Sequence, residues 1–200
     1  MRTTILPGLL DAAARNRAFG ARGVGLFEVG NVFEAQPLPS GLREAALRFR
    51  LTGKVGGGAE ASRLMGVREE ARVGVVLAGT VRPVGWNVPE LRAGFFEAKG
   101  FVERLVPGAR FELGERPFLH PGRSAMVRVQ GREAGWVGEL IPEVAERFEL
   151  GGWPVAALEL DLAYCDPDPE PRFEPFVNVP AVHRDLAFVV GSSVPVGPPP

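Results

Sequence analysis

Two hundred residues, 46% of them hydrophobic, are enough for one domain with a real core and exclude disorder over the whole length. A formal net charge of −1 gives no general attraction to a phosphate backbone, although it leaves a local basic patch open. The lone cysteine, Cys165, excludes an internal disulfide and a Cys-x-x-Cys zinc pair, the first residues lack the apolar run of a signal peptide, and no stretch reaches the length of a membrane span.

Ile5, Leu6, Leu9, Leu10, Ala13 and Ala14 recur at spacings of three and four, which predicts an amphipathic helix that Pro7 can open and Gly20 can close. Residues 24–29 (VGLFEV) predict a strand, and Gly30 sets it apart from a second short extended piece at 31–33. Residues 36–72 are the least readable. Within them Leu47, Phe49 and Leu51 alternate with Arg48 and Arg50, as in a half-exposed antiparallel strand, and the glycines at 56–58 read as a loop. Residues 73–78 are apolar enough for the centre of a sheet. Leu91, Phe95, Ala98, Val102 and Leu105 mark a second helix, ended by Pro107 and Gly108. Residues 125–129 and 133–140 flank Gln130 and Gly131 as a hairpin. Pro142 then starts a short helix with Glu143 in its first turn, closed by the glycines at 151–152, and residues 155–162 form another strand.

Composition changes after Cys165. Residues 166–171 (DPDPEP) read as a stiff, polar linker, and 186–190 as one apolar strand. A single strand leaves its backbone groups without partners, so the chain reads as cut off inside the opening strand of a further domain. The order of strands and helices predicts an α+β fold, a mostly antiparallel sheet with helices on one face.

Each candidate motif has a functional and a bland reading. The run PFLHPGRSA at 117–125 could offer Ser124 as a nucleophile and His120 as its base, with Asp185 completing a hydrolase triad. No Gly-x-Ser-x-Gly elbow is present, and the simpler reading is a Pro-Gly turn that His120 supports by hydrogen bonds. His120 and His183 have no metal-ligand spacing. Residues 53–56 (GKVG) lack the spacing of a phosphate loop. The prolines between Asp166, Asp168 and Glu170 oppose a cation-binding wrap. Trp86, Trp136 and Trp153 are too scattered in the sequence to read as a base-stacking platform. No catalytic, cofactor-binding or metal residue is assigned.

Six ordered runs carry a resemblance: RTTILPGLL at 2–10, LFEVGNVF at 26–33, FFEAKGFVE at 95–103, PFLHPGRSA at 117–125, GWVGELIPEV at 135–144 and PAVHRDLAF at 180–188. Together they cover the chain except roughly residues 36–70. In these runs the chain resembles the bacterial phenylalanyl–tRNA synthetase β-subunit family. The resemblance implies a catalytically silent, class II aminoacyl-tRNA synthetase-like domain over residues 1–165, a proline-rich linker over 166–180, and the truncated start of a ferredoxin-like anticodon-binding domain over 181–200. It also implies an α2β2 tetramer that attaches phenylalanine to its tRNA, with ATP and magnesium at the α subunit and none in this chain. The location would be cytoplasmic, without a membrane, and tRNA would be reached through the holoenzyme.

In the class II pattern, ATP is held by an arginine after the strand that matches 31–33 and by a Gly-rich third motif ending in arginine. This chain has Glu34 at the first place and ALELDL, residues 157–162, at the second. A carboxylate repels phosphate where a cation would hold it. The same resemblance places the first helix between subunits, so Ile5, Leu6, Leu9, Leu10 and Ala13 are the expected interface, open also to self-association; the bland reading buries that face on the domain's own sheet. The rivals to this structural role are a stand-alone hydrolase using Ser124, His120 and Asp185, and an independent RNA-binding module, which the low net charge opposes.

Overall fold

The computed structural model describes residues 2–36 and 66–166, together with Asp185, Ala187 and Val189 as isolated positions. The chain divides into two compact units, residues 1–168 and 169–200, and every described helix and strand belongs to the first. The expected strand at 46–52, the glycine loop at 56–58, the linker beyond Asp166 and most of the strand at 186–190 lie outside the described residues.

Seven described strands form one sheet: β1 (Gly23–Ala35), β2 (Val67–Arg82), β3 (Leu91–Arg92), β4 (Arg110–Glu112), β5 (Leu119–Val129), β6 (Arg132–Leu140) and β7 (Val155–Asp161). Their order is β1-β2-β7-β6-β5-β4, with β3 paired to the end of β2, and every pairing is antiparallel. The helices are α1 (Leu6–Ala18), α2 (Phe95–Leu105) and the short α3 (Pro142–Arg147), and a 3-10 turn at Leu162–Tyr164 follows β7. Among the described residues no helix is long and apolar enough to cross a membrane.

Burial explains this layering. In β2, residues 73–79 are all buried, so both faces of the central strand need cover. Successive side chains point to opposite faces. Val76 and Ala78 therefore join Val155, Ala157 and Trp136 in a core under α1. Val73, Val75 and Leu77 join Val137, Leu158 and Leu160 in a second core that Ala98 and Val102 of α2 close from the other side. The helices thus lie on both faces of the sheet, not on one, because β2, β6 and β7 are apolar on both sides.

Gly30 does not break the first strand. β1 pairs with β2 without interruption from Gly23 opposite Gly79 to Ala35 opposite Val67. The missing side chain at Gly30 instead makes room for the Arg2 guanidinium, which a Cβ there would strike. Arg2 Nη1 pairs with Glu28 at 2.6 Å, and its Nε donates to the Asn31 carbonyl at 3.1 Å. The β5–β6 turn is a two-residue one with Gln130 at φ 50° and Gly131 at φ 78°, the mirror-image geometry that tight hairpins favour. Between Leu119 and Ser124 the β5 register slips against β6, so residues 120–123 bulge outward.

Candidate functional site

His120 in the bulge and Ser124 just after it, the base and nucleophile of the rival hydrolase reading, both serve structure. His120 Nδ1 accepts the Gly122 N–H at 3.1 Å, bracing the Pro-Gly turn. Ser124 is buried, and its hydroxyl donates to the Gly114 carbonyl at 3.3 Å. No hydrogen bond joins Ser124 to His120 among the described residues, and Asp185 belongs to the second unit. The turn reading of His120 is borne out and the rival hydrolase reading finds no support: a serine is activated by a base that takes its proton, and here its hydroxyl donates to a carbonyl. No group of three potential metal-binding side chains occurs among the described residues.

Glu34 and the glutamate of the run 157–162, Glu159, differ in setting. Glu34 is exposed near the end of β1, opposite Arg68. Glu159, in the middle of β7, is only 4% exposed. Its Oε2 accepts the Thr4 hydroxyl at 2.5 Å and the Ile5 N–H at 2.9 Å, where α1 begins. Helix N-termini attract anions through free N–H groups and the helix dipole. In this fold the protein's own carboxylate fills that place on α1. Beside it, between α1 and β6, lies a cleft of about 400 Å³ lined by Thr3, Thr4, Arg116, Phe118, Trp136 and Phe148. Its cation, Arg116, is paired with Glu133 at 3.0 Å and lies over the Trp136 ring at 5.9 Å. A phosphate entering this cleft would meet the carboxylate of Glu159. The same device recurs on the other face: Glu139 Oε1 accepts the Phe95 N–H at 3.0 Å where α2 begins, and its Oε2 pairs with Arg123 at 2.8 Å.

Ile5, Leu6, Leu9, Leu10 and Ala13 are each at most 7% exposed and pack in the core under α1. The expected interface face is thus the helix's own core face, and its outer side carries Gly8, Asp11 and Arg15. Uncovered apolar surface lies elsewhere. Phe27 is 75% exposed and Val29 55%, both on the α2 side of β1, an edge strand among the described residues. With Phe101 and Leu162 they border an apolar groove of about 390 Å³ whose floor is Val73, Val75 and Leu77. Cys165 forms part of its wall, and burial, followed by the charge of Asp161, pushes its thiol above the ordinary range. The alternation in 24–29 already separates Phe27 and Val29 from Leu26 and Glu28, but pattern alone cannot say which face stays bare.

Residues 1–162 match the family model described as the phenylalanyl tRNA synthetase beta chain CLM domain. The chain belongs to that family. A phenylalanine–tRNA ligase beta subunit from Ralstonia nicotianae is 38% identical over 98% of the chain, and one from Symbiobacterium thermophilum is 36% identical over 95%. A third, from Moorella thermoacetica, is 34% identical over 98%. The chain spans about a fifth of the length of these relatives, 22%, 19% and 22% respectively. The family match covers α1, every described strand and α2, so Glu159 and the groove beside β1 are both features of this CLM domain.

Proposed function

We propose that the chain is the part of a phenylalanine–tRNA ligase β subunit that supports, without an active site of its own, the ATP-dependent attachment of phenylalanine to tRNA. In the α2β2 enzyme the α subunit would hold ATP and magnesium in the cytoplasm. This domain would be the silent counterpart of a class II core, with residues 166–180 linking it to a ferredoxin-like anticodon-binding domain at 181–200. The observation that carries the reading is Glu159: in the run that stands in place of the arginine-ending third motif, a buried carboxylate accepts hydrogen bonds from the start of α1.

The contact with the α subunit would centre on the edge strand β1. Ile5, Leu6, Leu9, Leu10 and Ala13 fasten α1 to the sheet beside it, while Phe27, Val29, Phe101 and Leu162 offer the side chains a partner would bury. Co-expression with the α subunit followed by affinity capture tests this. Phe27→Lys should weaken capture at least about tenfold, or ~1.4 kcal/mol, with little change in melting temperature. Undiminished capture would overturn the groove as the contact. Phenylalanine-dependent pyrophosphate–ATP exchange by the purified chain alone would overturn its silence.

A further inference from the structure

We infer that the end of the domain formed by the last turn of α1, the start of β1 and the β2–β3 connection is an RNA-binding surface that takes phosphates on arginines and a base on Trp86. The choice of RNA over other polyanions rests on the proposed function; the surface itself rests on how charge is distributed.

Six described arginines elsewhere in the domain have a carboxylate partner, two of them sharing one. Arg2 pairs with Glu28, Arg68 and Arg72 with Glu70, Arg116 with Glu133, Arg123 with Glu139, and Arg128 with Glu112. Arg15, Arg22, Arg82 and Arg92 are exposed, and none has a carboxylate partner among the described residues. The topology gathers them. The Arg22 carbonyl accepts the Thr80 N–H at 3.0 Å, Thr80 pairs across to Arg92, and Arg82 pairs to Leu91. Arg22 and Arg92 line one cleft with Trp153, and Arg17 lies over the Trp153 ring at 5.2 Å. Arg15 stands in the last turn of α1, and residues 19–21 join that helix to Arg22.

Three carboxylates belong to this end, the first being Asp11, one turn before Arg15 on the outer side of α1. Glu90 lines the same cleft and accepts the Thr80 hydroxyl at 2.6 Å, and Glu149 gives its backbone carbonyl to Arg17 at 2.7 Å. Counting Arg17, five cations face three anions, an excess that the overall charge of −1 conceals. Among the described residues, the other arginines without a carboxylate partner are distributed differently: Arg110 and Arg132 lie around Arg128 among Glu112 and Glu133, and Arg147 is on α3. Beside the cationic end, Trp86 stands 97% exposed on the β2–β3 connection and Phe19 92% exposed after α1. Flat rings held in water next to unpaired guanidinium groups suit single-stranded RNA, in which bases stack and phosphates seek cations.

The test is binding of the full 200-residue chain to a fluorescent tRNA transcript across about 50–200 mM salt. Four phosphate contacts predict a slope of log affinity against log salt near about −3. Replacing Arg15, Arg22, Arg82 and Arg92 together by Gln should bring the slope close to zero, whereas replacing them by Lys should keep it. Single changes Arg82→Gln and Arg92→Gln, which guard against misfolding of the fourfold variant, should each shift it by about 0.7–0.9. Trp86→Ala should lower affinity several-fold and leave the slope unchanged. No binding at the lowest salt, or an unchanged slope in the glutamine variants, overturns the surface. So does loss of α-subunit capture with tRNA binding intact, which would make it a protein contact. Capture measured beside tRNA binding also separates failure of this surface from failure of the β-subunit role.

Discussion

Glu159 is a charged side chain in a strand whose other residues are apolar up to its closing Asp161, and its position is fixed by what it accepts. Removing it leaves the Ile5 N–H and the Thr4 hydroxyl buried without their acceptor, at a cost of roughly 1–3 kcal/mol. Glu159→Ala should therefore lower the melting temperature by about 4–8 °C, taking ~2 kcal/mol and the usual response of a domain this size. Scanning calorimetry checks it, and an unchanged transition would mean that water replaces the carboxylate without loss. Cys165 makes a second residue-scale prediction. Its thiol is held protonated by burial and by Asp161, so the folded chain should react with iodoacetamide more slowly than the denatured chain at mildly alkaline pH. As pH rises through the ordinary thiol range the unfolded chain loses this proton first, so Cys165 lowers stability above that range and is neutral below it. A Cys165→Ser variant that melts with the same alkaline pH dependence as the parent would remove the effect.

Among the elements, α1 shows how far spacing leads. The recurrence of Ile5, Leu6, Leu9, Leu10 and Ala13 marks the helix from within a residue of its observed start, and Gly20, at φ 90°, stops it as expected. Spacing also names the five side chains that carry the helix's apolar face. It cannot say whether that face meets a partner or the domain's own sheet, because either surface is apolar. Leu10→Glu separates the two. Placing a carboxylate at a site 1% exposed should cost about 4 kcal/mol and lower melting by roughly 8–16 °C, seen by circular dichroism. A stable Leu10→Glu chain would mean the helix does not pack as described. Gly30 misleads for the opposite reason, whereas the run 117–125 reads correctly as a turn. Gly30 looks like punctuation, but its lack of a side chain admits Arg2; the Pro-Gly turn already assigns His120 its bond to Gly122, while the Gly114 carbonyl that receives the Ser124 hydroxyl is ten residues away. Partners brought in by the fold decide Gly30 and Ser124, and they cannot be read from the run of residues alone. The groove beside β1 is hidden for the same reason, since its floor comes from β2 and its rim from α2.

The whole first unit consists of two cores on one sheet, and β2, β6 and β7 contribute to both. Glu159 and Glu139 stand on adjacent strands and reach to opposite faces, so each helix is held at its start by the sheet's interior. The amides at the start of a helix usually bond to water and exchange quickly with solvent deuterium. Those of Ile5 and Phe95 have no such freedom while the sheet persists. Their uptake should match that of the slow amides of Val137 and Leu158, whereas Gly8 and Phe96, one or more residues further along, lack a carboxylate of their own and should exchange sooner. Early exchange at Ile5 with the sheet still protected would show α1 opening independently. Otherwise the two helices, though on opposite faces and never touching the same core, would open together, at the rate set by the strands between them.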